Sequence, residues 1–159
     1  MPTRRAFLAS SASALGLSLA VRPAGAAPGS FEVVRSDAEW RRLLTPAQFA
    51  VLRREATERP GSSRLNKETR SGLYHCAGCS LPVYTSRTKY ETSTGWPSFY
   101  AALPGAVGTK ADRKLGFART EVHCRRCGGH LGHIFDDGPP PTGKRHCLNG
   151  VALRFVPGG

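Results

Sequence analysis

The chain has no apolar run long enough to cross a bilayer. Its most apolar stretch, Ala9 to Val21, falls short of the ~20 residues a spanning helix needs, which argues against a transmembrane anchor. With no cysteine beside the small-residue motif Ala24-Gly25-Ala26, nothing points to a lipid-anchored form either. Acidic residues are scarce, 11 against 23 lysines and arginines, so the formal charge is +12. The basic residues are nevertheless scattered, and aromatic residues are not interleaved with them, which speaks against nucleic acid as a partner. Repeats are absent apart from two Cys-x-x-Cys pairs. Long helical stretches are lacking too: 18 glycines, 12 prolines and short apolar runs favour strands and loops, a mainly β fold.

What is present begins with an address. Thr3-Arg4-Arg5-Ala6-Phe7-Leu8, the apolar run and the small-residue site read as a twin-arginine signal peptide over 1–26, so the protein is expected to be exported to the periplasm. Removing the signal leaves 159 − 26 = 133 residues, one domain, with a charge of 20 − 11 = +9 once Arg4, Arg5 and Arg22 are gone. Residues 27–35 read as a linker and 36–157 as the domain. The twin-arginine route carries folded proteins, so a metal site could close before its thiols met an oxidising compartment.

Five cysteines are an odd number. Cys76 and Cys79 form one knuckle, Cys124 and Cys127 a second, and four thiolates at that spacing suit a closed, structural, tetrahedral zinc site. Two disulfides are the alternative, but a two-residue gap fits a metal better than a bridge. His75 and His123 each precede a knuckle cysteine and could also be ligands, although four cysteines already complete the site. Cys147 is left over. In Lys144-Arg145-His146-Cys147 the neighbouring cations would favour a thiolate; the alternative is a buried, inert thiol.

Ser36-Asp37-Ala38-Glu39 has the form of a capping box and starts a short helix to about Leu43, and Thr45-Pro46-Ala47-Gln48 starts a second. Trp40, Leu43, Leu44, Phe49 and Leu52 are candidates for their apolar face. Ala56 to Gly72 reads as an extended surface loop and Ala101 to Arg113 as another loop. Strands are expected at Leu73–His75, Leu81–Tyr84, Leu115–Arg119, Glu121–His123, Leu131–Phe135, Arg145–Leu148 and Val151–Val156, paired antiparallel. On an extended segment Arg145, Cys147 and Asn149 share a face and His146 points away.

His130-Leu131-Gly132-His133, Phe135-Asp136-Asp137-Gly138-Pro139, Arg145-His146-Cys147-Leu148-Asn149 and, upstream, Gly95-Trp96-Pro97-Ser98-Phe99 together resemble the B-type peptide-methionine (R)-S-oxide reductases, over roughly Trp40 to Val156. The resemblance implies two antiparallel sheets with short N-terminal helices and one structural Zn2+ held by the four knuckle cysteines, away from the reactive thiol. It implies that Cys147 is the nucleophile, that His130, His133 and Asn149 supply protons or hydrogen bonds, and that Arg145 holds the thiol in an electropositive setting. Trp96 and Phe99 would form the substrate pocket, with Asp137 orienting a neighbour there. The substrate would be an oxidised protein or peptide, the reductant a thioredoxin-like protein or a small thiol, and the enzyme a monomer. Three positions depart from the family pattern. Gly61-Ser62-Ser63 lacks an aromatic residue, His146 stands where Tyr is usual, and Thr94 stands where many members carry a resolving cysteine. A zinc-ribbon binding module would leave Cys147 and Trp96 without a role, and a thiol enzyme acting on glutathione adducts would leave Gly-Trp-Pro-Ser-Phe and His-x-x-His without one.

Overall fold

The structure is a computed structural model, described over residues 31–158; the expected signal peptide, 1–26, and the start of the linker lie outside the described residues. Helix α1, Asp37–Leu43, begins at a complete capping box in which Glu39 N–H donates to Ser36 Oγ and Ser36 N–H donates to the Glu39 carboxylate. Helix α2, Pro46–Arg54, starts the same way with Thr45 and Gln48, and Pro46 occupies the first turn, where no N–H is needed. Trp40, Leu44, Phe49, Val51 and Leu52 are buried, and each such side chain contributes about 1.5–3 kcal/mol of apolar burial. Leu43 does not join them. It is 58% exposed, because Trp40 and Leu44, four apart, already define the inward stripe. No helix among the described residues is long and apolar enough to cross a membrane.

Nine strands follow: β1 Gly72–Cys76, β2 Pro82–Thr85, β3 Lys89–Tyr90, β4 Ser98–Phe99, β5 Val107–Asp112, β6 Arg119–Cys124, β7 His130–Phe135, β8 Arg145–Leu148 and β9 Leu153–Pro157. They build two antiparallel sheets, a three-stranded one ordered β2-β1-β9 and a six-stranded one ordered β3-β4-β8-β7-β6-β5. The mainly β, two-sheet expectation holds. An aromatic cluster joins the sheets: Phe99 of β4 packs 4.9 Å from Tyr74 of β1 and 4.7 Å from Tyr84 of β2, centroid to centroid.

Two segments differ from expectation. Strand β5 lies inside the stretch read as a loop, and Leu115 to Ala118, read as strand, is a turn that leaves Leu115 and Phe117 exposed. The cause is position in the sheet. β5 is an edge strand with one covered side, and its Val-Gly-Thr-Lys-Ala-Asp sequence carries lysine rather than an apolar alternation. The 56–72 stretch contains a 3-10 turn at Arg64–Lys67, and its Glu58 reaches into the body of the protein, as described next.

Candidate active site and metal centre

One row of residues across the larger sheet assembles the site. Register pairs Lys110 with Glu121, Glu121 with His133, His133 with Cys147 and Cys147 with Ser98, so these side chains share one face. His133 and Cys147 border a cavity of about 130 Å³ together with Thr57, Trp96, Arg119, Phe135 and Asn149. Gly132 permits the strands to close over this point: a Cβ there would lie 2.1 Å from the Cys147 carbonyl oxygen.

His130 and His133, three apart, would face opposite sides of a regular strand. A bulge corrects this, since Val122 pairs with Gly132 but His123 pairs with His130, leaving Leu131 as the extra residue. The two rings then meet edge to face at 5.3 Å. His130 nevertheless does not border the cavity. It is buried behind His133 with Nδ1 3.2 Å from the Glu121 carboxylate, an approach without an aligned hydrogen bond. His130, expected to supply a proton or a hydrogen bond, is thus placed against His133 and Glu121 rather than at the cavity wall.

His133 Nε2 donates to Asp112 Oδ2 at 2.8 Å, and Arg119 donates to the same oxygen at 2.7 Å. Burial pushes the His133 pKa down against the pull of Asp112, while a backbone N–H from Lys114, His133 and Arg119 hold the Asp112 carboxyl well below the carboxylate range. A neutral ring with Nε2–H committed leaves Nδ1 as its available base. Asn149 is buried, with Oδ1 accepting from Glu58 N–H at 2.9 Å and Nδ2 donating to the Leu131 carbonyl at 3.1 Å, so one amide hydrogen remains. Trp96 Nε1 donates to the Glu58 carbonyl at 3.1 Å, and the Glu58 carboxylate accepts from Gly150 and Val151 N–H. One residue thus positions both Trp96 and the Asn149 turn.

Cys147, Arg145 and Asn149 lie on one side of β8, as alternation requires, but two details differ from expectation. Burial pushes the Cys147 thiol up, outweighing the opposing pull of Arg145 and Thr94. The resting group is a thiol, and a base is needed. Phe99 is also not part of the pocket. Residues 98 and 99 alternate, so Phe99 pairs with His146 on the opposite face and is fully buried between Tyr74 and Tyr84. Asp137 forms a two-pronged 2.8 Å ion pair with Arg145, whose guanidinium lies 4.5 Å above the Phe135 ring; it orients that arginine and does not border the cavity.

The knuckle cysteines converge elsewhere. Cys76 and Cys79 come from the β1–β2 turn of one sheet, Cys124 and Cys127 from the β6–β7 turn of the other, and all four sulfurs lie within 4.8 Å of one another. Cys76 to Cys127 is 3.7 Å and Cys79 to Cys124 is 3.4 Å, too long for disulfides and near the ~3.8 Å edge of a tetrahedron with 2.3 Å metal–sulfur bonds. The donor set fits a closed structural metal site, and neither His75 nor His123 belongs to the cluster. Cys147 pairs with His133, and β7 starts at His130 beside the knuckle's Gly129, so with Leu131 taken up in the bulge about three strand rises, roughly 10 Å, separate the thiol from the metal site.

The family model described as the SelR domain matches residues 44–157. The chain belongs to this family. Among relatives, it is 49% identical over 127 residues to the peptide methionine sulfoxide reductase MsrB of Agrobacterium fabrum, covering 79% of this chain and 94% of that protein. It is 48% identical over 134 residues to the protein of the same name from Leifsonia xyli subsp. xyli, covering 83% and 96%, and 49% identical over 124 residues to that of Methanosarcina barkeri, covering 77% and 87%.

Within this SelR domain, sequence reasoning gave no role to Asp112 and Arg119, nor to Thr57 and Glu58, although Thr57-Glu58-Arg59-Pro60 resembles a piece of the family pattern. Asp112 and Arg119 are direct register partners, a signal that the sequence would have carried only if β5 had been recognised. His146 behaves as alternation predicts: it faces away from Cys147, lies 2.9 Å from the Tyr84 hydroxyl, and burial lowers its pKa to about 4. It is neutral when folded and takes up a proton near 6.5 when unfolded. Stability is therefore intact above pH 6.5 and falls as pH drops from 6.5 through 4. His146→Tyr should remove about 2 to 3 kcal/mol of this acid loss. Urea unfolding of both proteins at pH 7 and pH 4.5 checks it; parallel losses would exclude His146 as the source.

Proposed function

We propose that this SelR protein is a thiol-dependent peptide-methionine (R)-S-oxide reductase acting mainly on oxidised methionine in proteins. The observation that carries the reading is the pairing of Cys147 with His133 beside the Trp96 wall, while the other four cysteines are gathered at a distance. The oxidised side chain enters with its S-methyl group against Trp96 and its sulfur facing Cys147 Sγ.

His133 Nδ1 takes the thiol proton as Cys147 attacks the sulfoxide sulfur, and returns it to the sulfoxide oxygen. The remaining Asn149 amide hydrogen and Arg119 stabilise the charge developing on that oxygen. The sulfur–sulfur bond so formed and the methionine S–O bond then break as the hydroxyl passes to Sγ, which leaves methionine and a sulfenic acid on Cys147, with atoms and electrons balanced: sulfoxide plus thiol gives thioether plus sulfenic acid. One external thiol then condenses with the sulfenic acid, releasing water, and a second releases Cys147 as thiol with a disulfide formed between the two donors. Threonine at position 94 and the clustering of the other four cysteines support an external donor, a thioredoxin-like protein or a small thiol, since no second sulfur is left to resolve the sulfenic acid. We read the metal as Zn2+, from an all-sulfur, four-ligand, closed donor set; held by Cys76, Cys79, Cys124 and Cys127, it would supply cross-linking between sheets and no chemistry at the thiol. From the twin-arginine motif we infer a periplasmic location, and from the single domain a monomer.

The test is an assay of resolved R and S epimers with dithiothreitol. The R epimer alone should be reduced; equal rates, or no reduction of either, would overturn the reading.

A further inference from the structure

A second cavity, about 630 Å³ against about 130 Å³ for the Cys147 pocket, runs along the other side of Thr57. Its floor is apolar, formed by Ala47, Ala50, Val51, Leu65, Val151 and Leu153. Thr57 borders both cavities, and Val151 follows Asn149 by two residues, so the trough begins where the reaction pocket ends. The charge free to meet a ligand is basic. Glu58 borders it, but its carboxylate is turned onto the Gly150 and Val151 N–H groups. Arg59 and Arg64 are exposed on the rim, and neither has an acidic partner among the described residues.

Resting on the reductase reading, we propose that this trough holds the polypeptide flanking an oxidised methionine, and that it selects extended segments with apolar residues and aspartate or glutamate near the sulfoxide. Three features favour that occupant. The reaction pocket has room for little more than the oxidised side chain, so the rest of a protein substrate must lie against adjoining surface. Of the two cavities that share a wall with the pocket, the one across Trp96 is smaller, about 220 Å³, and carries Lys67, Lys89 and Glu91, whereas the trough across Thr57 is larger and has the apolar floor. Two unpaired guanidinium groups on its rim then reward negative charge, an effect of the kind that sets partner choice more than total affinity.

The experiment measures kcat/KM with dithiothreitol for a blocked single methionine (R)-sulfoxide and for two short peptides with a central sulfoxide, one flanked by leucine and glutamate, the other by leucine and lysine. The unmodified protein should prefer the glutamate peptide over both other substrates. Arg59→Glu/Arg64→Glu should lower the ratio of glutamate peptide to blocked amino acid by about tenfold and reverse the preference between the peptides. A ratio unmoved by the double substitution, or equal rates for the two peptides in the unmodified protein, overturns the proposal while leaving the reductase reading standing. A defect confined to assays with a thioredoxin-like reductant also overturns it, by assigning the trough to the electron donor. No turnover of the blocked sulfoxide by the unmodified protein overturns the reductase reading and the trough with it.

Discussion

Cys147→Ser should lower sulfoxide reduction by at least about 10⁴-fold, with the folded state and its metal content unchanged. The serine hydroxyl cannot accept the oxygen, since no counterpart of a sulfenic acid forms at oxygen under these conditions. The substitution removes one sulfur atom from β8 and leaves the strand's hydrogen bonds to β4 and β7 in place. Substrate binding against Trp96 should therefore survive, and the loss should appear in kcat. A variant that retained more than a few per cent of the activity would place the nucleophile elsewhere.

Metal removal should have the second largest effect, and on stability. Each sheet contributes two of the four clustered sulfurs, so the ion would cross-link the β1–β2 turn to the β6–β7 turn. Structural metal sites of this type contribute their binding free energy to folding. Chelation, or Cys124→Ser, should lower the melting temperature by at least about 15 °C and abolish activity indirectly, because β7, which carries His133, starts at the residue after the knuckle's Gly129. The check is thermal unfolding alongside measured metal content, expected at one ion per chain. A metal-free protein melting within a few degrees of the loaded one would exclude the cross-link.

How much of this was legible in the sequence depended on how local the signal was. Both helix starts were readable because a capping box is complete within four residues, and Ser36 with Glu39 and Thr45 with Gln48 form it as written. The cysteine cluster was readable because paired Cys-x-x-Cys spacing is itself a geometric statement. The common face of Arg145, Cys147 and Asn149 followed from strand alternation, and the same rule explains why Phe99 lies outside the pocket: it is one residue from Ser98, the partner of Cys147, and so must face the other way. What could not be read depended on distant pairing. Asp112 fixes His133 from a polar edge strand, and Glu58 clamps Trp96 and Asn149 from a segment with no periodicity. The Cys147 thiol shows a further limit. Its charged neighbours are visible in sequence, but burial, which outweighs them, is a property of the fold.

The central claim is that one sulfur reacts because the other four are held together away from it. It is tested most directly by intact and peptide mass analysis after adding one equivalent of ¹⁸O-labelled methionine (R)-sulfoxide to the metal-loaded protein without reductant. The expected result is a single labelled oxygen on the peptide containing Cys147, with Cys76, Cys79, Cys124 and Cys127 unmodified and the metal retained. A disulfide between Cys147 and a knuckle cysteine, or label on any of those four with Cys147 untouched, would contradict it.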